Sequence, residues 1–201
     1  MVRLGDPVFV EPSGVVVRVS YFPTPDTVLT VGTPLYGATH ARLIERIPLE
    51  IVRVVVSETT DYAILRLPTG VVGVNTYPAL PLPLKSGNEV FIPLNGALYA
   101  GKVEDVPYTG LTGTGRYNNG KVACCFEGLT DSRGQTGLPL LVRHNQSYAV
   151  VGHLYGCSRP WLLFTPIVHW MEDGGRDPAE LVSWVECILN VLPTTYYDPE
   201  H

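Results

Sequence analysis

The feature that most limits what this chain can become is the rhythm of its apolar runs: none is long, and nearly every one is stopped by glycine, proline or asparagine. Runs rich in β-branched, aliphatic and aromatic residues span Pro7 to Val10, Gly14 to Phe22, Ile51 to Ser57, Tyr62 to Leu67, Glu89 to Pro93 and Ala97 to Val103. A second series covers Lys121 to Phe126, Leu138 to Arg143, Ser147 to Leu154 and Trp161 to Val168, with Asn118-Asn119-Gly120 and His144-Asn145-Gln146 as turn formers between them. Segments of this length and composition, bounded by such residues, read as short strands at hairpin spacing. Glycine (20) and proline (18) approach a fifth of the 201 residues, yet 45% of the chain is hydrophobic, which points to a packed core rather than disorder. The expected class is mostly β.

Between the two series, Thr76 to Gly87 reads TYPALPLPLKSG. Its alternating prolines cannot donate ladder hydrogen bonds and favour an extended connector. The strongest helix signal comes near the end. Asp177 suits a cap, Pro178 the first turn and Glu180 the reciprocal capping position, followed by Leu181, Val182, Trp184, Val185, Ile188 and Leu189 at helical spacing. Strands on both sides of a linker, then a helix, predict a double antiparallel β-barrel. Its expected divisions are an N-terminal barrel over 1–74, a linker over 75–88, a C-terminal barrel over 89–170, and a helix and tail over 171–201.

The formal net charge of -5, with no block of Lys or Arg, gives no electrostatic reason to expect a nucleic acid or an anionic membrane as partner. No stretch of about 18 uncharged apolar residues is present, and neither end resembles a targeting signal. The four cysteines, two of them adjacent at Cys124 and Cys125, have no metal-ligand spacing and no evident disulfide ladder, which favours a reducing compartment. Neither metal nor organic cofactor is called for.

Three segments carry chemistry. In LYGATHARL, His40 follows small residues; in TTDYAILRLP, Asp61 opens an aliphatic strand, where a carboxylate can hold an imidazole in the tautomer that accepts a nucleophile's proton. The bland alternative for Asp61 is a turn cap at Thr59-Thr60. The third segment, SRGQTGLPLLV from Ser132 to Val142, is a glycine-rich turn in which Gly134, Gln135 and Thr136 present backbone N–H groups to an oxyanion and Thr136 stands exposed as a nucleophile would.

These segments, in this order, resemble the chymotrypsin-like proteases, and within them the viral polyprotein-processing enzymes of the picornavirus, sobemovirus and nidovirus kind. Gly134-Gln135-Thr136-Gly137 is similar to their Gly-Gln-Cys-Gly and Gly-Asp-Ser-Gly turns. The resemblance implies a triad of His40, Asp61 and Thr136, with Gly134, Gln135 and Thr136 as oxyanion hole. It further implies cleavage after Gln or Glu of a viral polyprotein in the host cytoplasm. YAVVGHLYG resembles the strand bearing the substrate-pocket histidine, which makes His153, with Thr130 or Ser132, the expected P1 contacts. The departure is Thr136 itself, since the family uses serine or cysteine. The extra methyl restricts χ1 and crowds the acyl position. A natural threonine nucleophile, a substituted serine or cysteine, and a fold that binds a peptide or protein without catalysis all remain open.

Overall fold

The computed structural model describes residues 1–57, 59–108, 120–129 and 131–170, together with 182, 185, 186, 189 and 195–197. The N-terminal half contains β1 (Val2–Arg3), β2 (Pro7–Glu11), β3 (Val16–Arg18), β4 (Thr27–Thr30), β5 (His40–Arg42), β6 (Pro48–Val56), β7 (Asp61–Arg66) and β8 (Gly73–Val74). Its main sheet runs β3-β2-β5-β6-β7-β4, antiparallel throughout. Beyond Arg18 the chain leaves β2 and turns to β4: Ser20 N–H donates to Leu29 O at 2.9 Å, and Leu29 N–H to Tyr21 O at 2.8 Å. Those bonds nearly close the sheet into a barrel. They also explain why the expected run from Gly14 to Phe22 is divided, since a strand changing partners must bend at the barrel corner.

The second half contains β9 (Glu89–Leu94), β10 (Ala97–Tyr108), β11 (Lys121–Phe126), β12 (Pro139–His144), β13 (Ser147–Ser158) and β14 (Trp161–Pro166), which form a closed barrel in the order β10-β11-β14-β13-β12-β9. The expected run from Trp161 to Val168 stops at Pro166 because a short helix, α1 (Ile167–Trp170), begins there. Residues 75–88 hold no strand and touch the second barrel through a bridge between Ala79 and Val150. Val182, Val185, Glu186 and Leu189 are helical, and Val185 is buried; the cap expected at Asp177, Pro178 and Glu180 lies outside the described residues. A last strand, β15 (Thr195–Tyr197), lies parallel to β6. The molecule is therefore mostly β, two barrels with a C-terminal helix, as the strand pattern predicts.

Alternation along β4 and β7 shows what each face does. Val28, Ala63 and Leu65 point into the first barrel's core, whereas Leu29, Tyr62 and Ile64 join a second cluster with Phe91, Leu141, Val150, Ile167 and Trp170. Both strands are buried on two faces, so they read as continuous apolar runs. Each fully buried Leu, Ile or Phe contributes roughly 1.5–3 kcal/mol. That shared cluster fixes one barrel against the other and places Asp61, at the head of β7, where they meet.

Candidate active site

Asp61 is the first residue of β7, opposite Val56, and it is wholly buried. One carboxylate oxygen accepts the N–H groups of Gly32 and of Thr33, the latter at 2.7 Å; the other accepts the Thr33 hydroxyl. Gly32 is required here, because a Cβ would collide with the Val55 and Tyr62 carbonyls. Burial raises the Asp61 carboxyl above the ordinary carboxylate range, while Lys121, the Thr33 hydroxyl and the two amides pull against that shift.

His40 is not part of this arrangement. It lies exposed on β5, its Nδ1 3.1 Å from the Thr39 hydroxyl. β5 pairs with the start of β6, Ala41 facing Leu49, whereas Asp61 faces Val56 at the other end. At about 3.3 Å per residue, those positions are separated by roughly 20 Å of strand. The expected His40–Asp61 pair is therefore not assembled. In a Ser-His-Asp triad the buried acid grips the base; here the side chain it grips is Thr33, in the short helical turn Thr33–Leu35 that follows β4.

The turn carrying Thr136 is held firmly and in a particular sense. The Ser132 carbonyl accepts Gln135 N–H at 2.9 Å and the Gln135 carbonyl accepts Leu138 N–H at 3.1 Å. The Gly134 carbonyl accepts Arg18 Nε at 2.9 Å, the Thr136 carbonyl accepts Arg18 N–H at 2.8 Å, and the Gly137 carbonyl accepts the Ser20 hydroxyl at 2.7 Å. Gly137 has φ +96°, and a Cβ there would strike the Arg18 carbonyl and approach Thr30 Oγ1. The turn is thus pressed onto β3 and β4, the strands that lead to Thr33. Among the described residues, neither the amides of Gly134 and Thr136 nor the Thr136 hydroxyl makes a hydrogen bond. Two of the three expected oxyanion-hole amides are thus available, while that of Gln135 is engaged within the turn.

His153 also departs from expectation. It is wholly buried between the barrels, its Nε2 2.9 Å from the Asp61 backbone carbonyl, its ring stacked on Trp170 at 5.1 Å. That contact makes Nε2 the protonated nitrogen and leaves Nδ1 without a hydrogen-bond partner. Burial, then Lys121, push the imidazole down to about 3, so it is neutral. A ring enclosed in this way cannot line a pocket for a P1 side chain. Ser132, the first residue of the turn, is buried, and Thr130 lies outside the described residues.

Two residues that the sequence reading passed over matter more. Thr33 ends the run Thr27-Val28-Leu29-Thr30-Val31 with Gly32 and Pro34, a strand-then-turn signal overshadowed by the histidine downstream. Lys121 is buried, donating Nζ to the Thr59 carbonyl at 2.8 Å and lying over the Tyr155 ring at 4.5 Å; nothing in the pattern of β11 separates it from an edge lysine.

No protein-family model and no curated protein matches this chain. Solved structures do. Thermobifida fusca Protease A superposes with a TM-score of 0.64 at 11% identity, covering 86% of this chain and 95% of that one. Cellulomonas bogoriensis chymotrypsin gives 0.58 at 15%, covering 83% and 91%. The alpha-lytic protease homolog N4 gives 0.59 at 20%, covering 83% and 93%. At these identities the likeness carries the architecture: this chain has the double-barrel fold of the chymotrypsin-like serine proteases.

Proposed function

We propose that this chain is a protease-fold module that binds a polypeptide at the face of the Thr136 turn and does not hydrolyse it. The observation that carries this reading is the Asp61 carboxylate closed onto Thr33 and its neighbouring amides. A threonine hydroxyl cannot replace an imidazole. At neutral pH it donates to Asp61 and has no basic lone pair able to take the Thr136 proton, so nucleophilic attack lacks its general base. Turn and amides remain, and these suit capture of a peptide without turnover.

The test is incubation with peptides bearing Gln or Glu at P1, followed by mass spectrometry. The native chain is expected to leave them intact. The double variant Thr33→His with Thr136→Ser places an imidazole against Asp61 and a less crowded hydroxyl on the turn, and is expected to gain cleavage. Cleavage by the native chain, lost in His40→Ala, would overturn the proposal. It would favour an endopeptidase that uses His40, Asp61 and Thr136 after Gln or Glu of a viral polyprotein. Only the peptidase part of that second reading draws support from the similar structures being serine proteases.

A further inference from the structure

Resting on that non-catalytic reading, we propose that the turn from Ser132 to Leu138 is a receptor for a carboxylate carried by a peptide. The argument begins with the direction of its hydrogen bonds. The carbonyls of Ser132, Gly134, Gln135, Thr136 and Gly137 all accept a hydrogen bond, from Arg18, from Ser20 or from within the turn. The amides of Gly134 and Thr136 donate none among the described residues. The turn therefore offers donors with its acceptors tied back, a polarity that suits an anion and not a hydrogen-bond donor.

Backbone geometry agrees. Gly134 is exposed with φ +73°, and a Cβ at that position would meet nothing within 4 Å, so open space lies beside Gly134. Charge agrees as well. Asp131 Oδ2 accepts Arg133 Nε at 2.8 Å and lies 3.5 Å from Arg159 Nη2, so two guanidiniums share one carboxylate and a positive charge is left over. Arg18, beneath the turn, is a third guanidinium, offset by the nearby Asp6, so the local excess is one positive charge. On a chain whose net charge is -5, the excess is local to this turn.

Without a base, a bound carbonyl has no onward chemistry, whereas a carboxylate places a full negative charge against the same donors. Charge-assisted hydrogen bonds are about twice as strong as neutral ones. Two sources present this group: the free C-terminus of a peptide, or a Glu or Asp side chain within one. The backbone capture of a terminal carboxylate is a recurring recognition mode.

The experiment is a two-dimensional 15N–1H titration of the full chain with three forms of acetyl-trialanine: the free acid, the C-terminal amide, and the amide with its last residue changed to Glu. The Gly134 and Thr136 amide signals are expected to shift saturably with the free acid, the Glu form, or both, and the pattern names the source. The neutral amide is expected to bind about tenfold more weakly or not at all. The Arg133→Ala, Arg159→Ala double variant, whose side chains are largely exposed, is expected to weaken carboxylate binding severalfold. No shift at those amides with either acid, or equal shifts with the neutral amide, overturns the receptor. Mass spectra of the same samples report hydrolysis independently, so a catalytic chain and a failed carboxylate site give different results.

Discussion

At the scale of the residue, the meeting of the barrels holds ionisable groups in unusual states, and each makes a measurable claim. His153 stays neutral when folded down to about pH 3 but takes a proton near pH 6.5 when unfolded. The unfolded chain therefore binds more protons as pH falls through 6.5, and folding loses stability on the acid side. Between pH 7 and pH 5 the loss from this residue is about 2 kcal/mol. Asp61 acts with the opposite sign: its raised carboxyl binds a proton more readily in the folded state, so its stability contribution is present at low pH and lost as pH rises through the folded value. Comparing native and His153→Phe proteins by urea denaturation at both pH values cancels the Asp61 contribution; the native chain should lose about 2 kcal/mol more than the variant. If the two lose stability equally, His153 is not the buried base described. Asp61→Ala should cost about 3 kcal/mol, because it strands the buried Gly32 amide and the part-buried Thr33 amide and hydroxyl. Asp61 was legible in the sequence as the head of a strand, and Thr136 as a residue within a glycine turn. Thr33 was not, because chemistry directs the eye to His40, and only the pairing of Thr30 with Ala63 brings the end of β4 beside the head of β7.

At the scale of the element, the turn from Ser132 to Leu138 depends on one glycine more than the others. Gly137→Ala would force a side chain into the Arg18 carbonyl at φ +96° and should cost about 2–3 kcal/mol, seen as a lower urea midpoint with an unchanged slope. An unchanged midpoint would mean that the turn is not pressed on β3 as described. The turn itself could be read from Gly-x-x-Gly-x-Pro, but its anchoring could not, since Arg18 and Ser20 stand more than a hundred residues away in an ordinary-looking strand. The same limit governed the strands. Six-residue apolar runs bounded by turn formers, such as β9 and β14, were plain, while His40–Arg42 and Thr27–Thr30 carry too few residues to stand out. β4 is in fact buried on both faces, which erases the alternation a half-exposed strand would show.

At the scale of the whole molecule, one apolar cluster shared by both barrels makes independent unfolding costly. The chain should melt in a single calorimetric transition whose van't Hoff and calorimetric enthalpies agree. Trp170→Ala, which empties the centre of that cluster, should lower stability by about 3–5 kcal/mol. Two resolved transitions in the native protein would show instead that the barrels stand alone. The double-barrel plan was legible because its linker and its two strand series are local features of the sequence; the seating of His153 against the Asp61 carbonyl and of Lys121 against the Thr59 carbonyl was not, being set by contacts across the interface. The strand Thr195–Tyr197 brings a further consequence. It covers the backbone of β6 from Arg53 to Val55, an edge that β5 leaves free after Leu49. A chain cut before Thr195 would present those groups to any neighbour, and strand edges without a partner recruit one. Such a truncated protein should grow in light scattering as its concentration rises, while the full chain stays unchanged: the tail works as a guard against the molecule's adhesion to itself.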